Sequence, residues 1–263
     1  MGHNYEINIL IIVYNRPNYL IEVLDSLKYC KNIKNLFISI DKEKDIESDK
    51  LLVDEVIKIS NDFIIDTNKE INILKEKRGC KGHVIYALDW VSSKLGNEEI
   101  LLVLEDDVLL LPNTIDRIED IINKNNFEYY VIKLNQYFWG WVTNVKTIKE
   151  LTGGYENIIN EFKECDYHYK KLNIFKDKYG FKNINEVTSY IEPFLQSLYV
   201  PWDESFPVIM RCKKIFEYKD NNIYTKNIGD NSSRDPFLEP ILLYGTLNNP
   251  ISFYVENGKP IYY

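Results

Sequence analysis

From Ile7 to Tyr14 the chain is apolar apart from Asn8, over a length too short for a typical helix, which predicts a strand buried on both faces. Asn15-Arg16-Pro17 stops it, and Pro17 suits the first position of a helix. Tyr19, Leu20, Val23, Leu24 and Leu27 follow at helical spacing. The alternation continues with a strand from Asn35 to Ile40 ending at Asp41, a helix around Leu51 to Ile59 and a strand from Ile71 to Leu74. Arg78 to Gly82 reads as a turn, and Val84, Ala87, Leu88 and Val91 mark a helix. Ile100 to Leu104 is a fourth strand, running directly into Glu105-Asp106-Asp107. Pro112 and Asn113 open a helix through Ile122.

The second half is less periodic. Val131 to Leu134 reads as a strand and Thr147 to Leu151 as a short helix broken by Gly153-Gly154. Ile251 to Tyr254 and Ile261 to Tyr263 read as short terminal strands. No repeat, low-complexity tract or clear linker interrupts the 263 residues. The expectation is a single α/β domain over 1–263: a Rossmann-like, mainly parallel sheet flanked by helices. Residues 1–107 would form a nucleotide-binding half and 108–263 an acceptor-binding half. Ligands of such sheets bind beyond the carboxyl ends of the strands. Tyr14-Asn15-Arg16, Asp41 and Glu105-Asp106-Asp107 are all predicted to lie at that edge.

Charge narrows the classes of partner. A formal net charge of -8 lends no support to nucleic-acid binding. An acidic protein that binds a diphosphate does so most readily through a metal ion, since two anions otherwise repel. The four cysteines are widely separated, without CxxC spacing, which argues against a zinc knuckle and for reduced thiols in a cytoplasmic setting. The N-terminus lacks a signal-peptide layout, and neither long apolar stretch is uninterrupted over a bilayer's span. Association with the inner face of a membrane stays open, as does the oligomeric state.

Three adjacent carboxylates at a strand end repel one another by roughly 1 to 4 kcal/mol per pair. A hard divalent cation removes that repulsion, and Mg²⁺ and Mn²⁺ often bind one or two carboxylates plus substrate phosphates. An acidic solvated turn is the plainer reading. Against it, the acids interrupt a hydrophobic block that resumes at once with Val108-Leu109-Leu110-Leu111. The chain has no GxGxxG, GxxxxGK[ST] or GxSxG motif, so classical dinucleotide, P-loop and hydrolase-elbow sites are unsupported. His83 reads as a helix-start or turn residue.

Val13-Tyr14-Asn15-Arg16-Pro17 resembles the opening of GT-A-fold glycosyltransferases, including bacterial family 2 enzymes. Leu102 to Asp107 resembles their metal-binding strand end, in the EDD form found in N-acetylglucosaminyltransferases that branch N-glycans. Tyr137-Phe138-Trp139-Gly140-Trp141, Trp202-Asp203 and Asn227-Ile228-Gly229 resemble later elements of the same enzymes, in the same order. The resemblance implies a glycosyltransferase that moves a sugar from a nucleotide-sugar donor, a UDP-sugar by preference, to a carbohydrate, lipid-linked or protein acceptor. It implies Mn²⁺ or Mg²⁺ as cofactor and an inverting mechanism. By the same resemblance Tyr14 and Arg16 would line the nucleotide pocket and Asp41 would contact base or ribose. Arg78 would lie near the nucleotide or diphosphate, and Glu105 and Asp106 beside the donor. Asp107 would ligate the metal, Trp141 would border the donor sugar or acceptor, and Asp203 would be the general base. One departure stands out. Many relatives place a histidine soon after Asn-Ile-Gly, and here the sequence is Asp230-Asn231-Ser232-Ser233-Arg234. Either water fills that metal position or Arg234 binds the diphosphate directly.

Each of these residues also has a structural reading. Asp203 would serve as a turn residue or helix cap after Pro201, with Glu204 its neighbouring rival as base. Large aromatics such as Trp139, Trp141 and Trp202 are more often core than site wall. Gly140, between two tryptophans, suggests close backbone approach. Two other functions remain open: a sugar nucleotidyltransferase, although its glycine-rich loop after the first strand is absent, and a non-catalytic carbohydrate-binding protein.

Overall fold

The structure is a computed structural model. It describes residues 6–125, 128–134, 138, 140–153, 157, 160–161, 169–189, 202–219, 225–229, 253–256 and 259–262.

The first half alternates as the apolar pattern predicts. Strand β1 (Ile7–Val13) leads into α1 (Pro17–Leu27), then β2 (Ile33–Ile40), α2 (Glu47–Asp62), β3 (Asn68–Ile73), α3 (Gly79–Ser92) and β4 (Ile100–Glu105). A short β5 (Val108–Leu110) precedes α4 (Thr114–Lys124), β6 (Tyr130–Lys133), β7 (Trp141–Asn144) and α5 (Val145–Thr152). Then come α6 (Tyr169–Tyr179), α7 (Trp202–Lys213), β8 (Phe216–Lys219), β9 (Thr225–Asn227), β10 (Phe253–Glu256) and β11 (Lys259–Tyr262). The last two pair as an antiparallel ribbon.

A seven-stranded sheet runs in the order β3-β2-β1-β4-β7-β6-β8. Pairings β1–β2, β2–β3, β1–β4 and β6–β8 are parallel, and β7 alone runs against both of its neighbours. The fold is thus α/β with a mainly parallel sheet flanked by helices. Strands from both halves of the chain share that sheet. The first two crossovers carry the chain outward from β1 to β3, and α3 then brings it back to β4 on the far side of β1. Right-handed crossovers of opposite direction place their helices on opposite faces. One core accordingly joins Ile9, Ile11 and Val13 to α1, α2 and α4. The other joins Leu10 and Ile12 to α3, α5 and α7. All seven residues of β1 are buried, which explains its unbroken apolar run.

Two sequence expectations need correction. Residues 78–82 are not a free turn. Helix α3 already starts at Gly79, because the buried Asp41 carboxylate accepts hydrogen bonds from the amides of Arg78 (3.0 Å) and Gly79 (2.9 Å). A side chain remote in sequence supplies the cap that local sequence lacks. The segment around Trp141 forms β7, an interior strand between β4 and β6. The resemblance sets Trp141 at the border of the donor sugar or acceptor, whereas the core reading of a large aromatic is the one that this buried position fits. Gly140, just before β7, has φ +100, and a Cβ there would meet Thr225 Cγ2 at 2.8 Å. The close backbone approach suggested by its flanking tryptophans is therefore present.

His83 sits in α3 facing the sheet, buried, with Nε2 2.9 Å from Ser39 Oγ. Burial drives its pKa from 6.5 down to about 4, partly opposed by Asp41 and assisted by Lys77 and Arg78. The folded protein thus holds the imidazole neutral where the unfolded chain would protonate it. Below the unfolded value the unfolded state binds more protons, so stability falls with falling pH. Lowering the pH from 7 towards 4 is expected to cost on the order of 2–3 kcal/mol through this residue. Urea unfolding of wild type and His83→Gln across that range checks it; parallel pH curves would refute the assignment.

Candidate functional site

The sheet changes winding direction between β1 and β4, the place at which sheets of this kind bind ligands. The β1 loop carries Tyr14, Asn15 and Arg16; the β4 loop carries Asp106 and Asp107. Parallel pairing holds the two loops level, with Ile12 opposite Glu105 and the Asp106 amide donating to Ile12 O at 3.1 Å. Glu105 is half-buried and closes β4.

Asp106 is 1% exposed and fully engaged. Its Oδ2 accepts from the Tyr14 amide at 2.9 Å, and its Oδ1 from the Arg16 guanidinium. Burial raises its pKa, against the opposing pull of Arg16. Asp107, 6% exposed, accepts from Arg16 through Oδ2 at 2.5 Å. Burial disfavours the charge on Arg16, but Asp106 and Asp107 outweigh it and push its pKa up. The guanidinium forks between the two carboxylates, a geometry that lysine lacks.

The Asn227-Ile228-Gly229 segment closes the site from the other side. Strand β9 pairs with β5, setting Asn227 opposite Val108, and the Ile228 amide donates to Asp107 O at 2.8 Å. Asn227 Oδ1 accepts from the Gly229 amide at 2.9 Å. A Cβ on Gly229 would collide with Asp107 Oδ2, so glycine is required by close approach. Gly229→Ala is expected to weaken Mn²⁺ binding or activity by about 10–100-fold, as losses of the groups that orient a metal ligand do. The added Cβ must push the Asp107 carboxylate aside, so the thermal midpoint should fall as well, and an unaltered Mn²⁺ titration would remove the role given to this contact.

The residues present fit a divalent cation in one specific way. Asp107 Oδ1 is buried without a hydrogen-bond partner. Such an orphaned carboxylate oxygen calls for a ligand. No group of three His, Cys, Asp or Glu side chains gathers to hold a metal among the described residues. Asp107 would then be a single-carboxylate anchor, with water and substrate oxygens filling the other positions, as Mg²⁺ often accepts.

A second cluster flanks the first. The Tyr14 hydroxyl donates to Asp49 Oδ2 at 2.5 Å, and Asp49 also accepts from Asn15 Nδ2 and the Lys44 amide, both at 2.5 Å. Burial and then Asp49 raise the Tyr14 pKa, so the phenol stays protonated. Lys77 Nζ lies 3.1 Å from the centre of the Tyr14 ring and 2.9 Å from Asp41 Oδ2. The amides of Lys42, Arg78 and Gly79 also donate to Asp41. Although burial opposes it, these donors and Lys77 hold the Asp41 pKa low. Asp41 therefore fastens the start of α3 to the end of β2. The Arg78 guanidinium stacks 4.3 Å from the Tyr86 ring centre, beside a groove of 470 Å³ lined also by Lys81, Ile85 and Asp89. Lys77 and Asp49 escaped the sequence reading. Lys77 lay hidden beside Arg78, and Asp49 carries no local signal.

The structure thus brings Tyr14, Arg16, Glu105, Asp106 and Asp107 together, with Asp41 and Arg78 linked to them through Lys77 and Tyr14. It does not bring Trp141 there. Trp141 is 1% exposed in the core, with ring centres of Phe138, Phe206 and Trp202 at 6.0, 5.9 and 6.5 Å. The reason is register: Trp141 lies opposite both Val103 and Lys133 in the sheet interior, on the face that helices cover. Asp203 lies in the first turn of α7, next to buried Trp202, and its side chain is outside the described residues. Arg234 is likewise outside them.

No protein-family model matches the chain, and no curated protein matches its sequence. Solved structures similar to it include mouse xyloside xylosyltransferase 1 in its apo form, at 10% identity and a TM-score of 0.41, covering 81% of this chain and 85% of that one. Another is the galactosyltransferase LgtC in complex with donor and acceptor sugar analogues, at 9% identity and a TM-score of 0.40, covering 81% of this chain and 73% of that one. Among the described residues no helix is long and apolar enough to cross a membrane, and Cys30, Cys80 and Cys212 form no disulfide.

Proposed function

We propose that the chain is a glycosyltransferase of the GT-A type, taking its sugar from a nucleotide-sugar donor bound where the β1 and β4 loops meet. The observation that carries this reading is Asp107, whose Oδ1 is buried and unpartnered beside Arg16 and Asp106 at the sheet's switch point. The first strand opening on Tyr14-Asn15-Arg16, the acidic end of β4 and Asn227-Ile228-Gly229 packed on Asp107 support it together.

Arg16 and Arg78 provide positive charge for a diphosphate, and Tyr14 a flat ring held in place by Asp49 for the nucleoside. Asp41 is a positioning residue for the Arg78 loop, since protein donors already surround its carboxylate. Bound at Asp107, Mn²⁺ or Mg²⁺ supplies charge neutralisation for the departing nucleoside diphosphate. Asp203 takes the proton from the attacking acceptor hydroxyl, giving inversion at the anomeric carbon.

The test is a thermal-shift panel of UDP, GDP, CMP and their common sugar conjugates, with and without Mn²⁺. A ligand that binds the folded state must raise its apparent stability. The expected result is a shift with one nucleotide, UDP by preference, enlarged by Mn²⁺ and lost in Asp107→Ala. A folded sample that responds to none of them would overturn the donor site.

A further inference from the structure

We propose that Arg16 is a displaceable counter-ion: a divalent cation binding at Asp107 takes over its place at that carboxylate, and the freed guanidinium becomes a ligand for the phosphate that arrives with the cation. The inference rests on the reading of the site as one for a cation and a diphosphate.

The three members of the cluster are not equally fixed. Asp106 is held through both carboxylate oxygens and through its own amide. Asp107 is held through its carbonyl by Ile228, and Gly229 closes against its Oδ2. Arg16 differs. Its side chain is 35% exposed, against 1% and 9% for the two aspartates. It stands at the N-cap of α1, outside the helix, and makes no side-chain capping bond there. The guanidinium is the one member with room to swing.

Occupancy points the same way. The unpartnered oxygen of Asp107 and the one bonded to Arg16 belong to the same carboxylate. A cation at Oδ1 would face the guanidinium at Oδ2 across a few ångströms, and like charges that close repel strongly where water is scarce. Either the cation stays out or Arg16 moves. An anion that arrives with the cation resolves the conflict, because it gives the guanidinium a new partner of the same forked geometry. Asp106 keeps the side chain near the site while Asp107 releases it. Cation and diphosphate should therefore bind together far better than either alone, and by linkage the effect must be mutual.

Mn²⁺ titrations of the full chain, read by the electron paramagnetic resonance of the free ion, test this without any catalytic assay. With the repulsion between cation and guanidinium removed, Arg16→Gln is expected to bind Mn²⁺ alone about tenfold more tightly than wild type. Inorganic pyrophosphate is expected to raise Mn²⁺ affinity in wild type about tenfold more than in Arg16→Gln. Asp107→Asn should abolish binding in both backgrounds. Circular dichroism establishes that each variant is folded. Should Arg16→Gln not fold, Arg16→Lys carries the test: it keeps the charge but cannot bridge two carboxylates, and it should bind Mn²⁺ alone more tightly than wild type. Mn²⁺ affinity equal to or below wild type in the folded variant overturns the exchange. Absence of sugar transfer with the exchange intact would instead overturn the proposed function. Transfer with Mn²⁺ binding indifferent to Arg16 would overturn only the exchange.

Discussion

On the proposed function, Asp203→Asn is expected to lower the rate of sugar transfer by about 10²–10⁴-fold, the usual contribution of a general base, while donor affinity stays within a few fold. The side chain to be replaced lies in the first turn of a twelve-residue helix, α7. A helix N-terminus favours the ionised carboxylate, which is the form a base needs. The residue before it, Trp202, is locked into the core by Phe138, with ring centres 5.8 Å apart, and by Phe206 at 5.3 Å. The backbone from which the carboxylate projects is thereby anchored, as a group that must meet a hydroxyl within about 3 Å requires. Asn keeps the shape but removes the basicity, so an effect on stability should be small. The decisive experiment is a transfer assay on Asp203→Asn beside Glu204→Gln, both shown to be folded and to bind donor. Full activity in the first and loss in the second would move the role one residue along. Full activity in both would end the general-base proposal for this turn.

Trp141→Ala destabilises the protein by roughly 3–5 kcal/mol, the range for deleting a large buried aromatic. Among the described residues the ring is the largest of the fully buried side chains, and it touches three other aromatic rings. Its removal leaves a cavity that an interior strand, pinned between β4 and β6, cannot collapse to fill. Against a typical domain stability of about 5–15 kcal/mol, that loss is a large fraction. Denaturant unfolding checks the figure. A variant of near-normal stability with weakened donor binding would restore Trp141 to the sugar site. Trp141→Phe, which retains part of the packing, should lose less. In Trp141→Ala, Trp202 loses a neighbour as well, so Asp203 should be less well placed and transfer should fall beyond what the unfolded fraction explains.

The alternation of elements in the first half was legible because each strand is a short apolar run and each helix has one apolar face. That is a local property, set by burial of β1 on both sides and of α1 on one. The acids at the end of β4 were legible as a candidate site because they break an apolar block. The sequence by itself therefore determined the α/β class and the placing of Tyr14, Arg16, Asp106 and Asp107 at strand ends. It could not determine how these groups divide the work. That Arg16 bridges both aspartates, that Asp41 caps α3, that Lys77 covers Tyr14, and that Gly229 backs Asp107 are contacts between residues some 37 to 122 positions apart. Their geometry follows from sheet order and register, which no local pattern encodes. Trp141 shows the same division. Its composition suits a sugar-binding wall as well as a core, and only its register in an interior strand, under helices from a distant part of the chain, decides for the core.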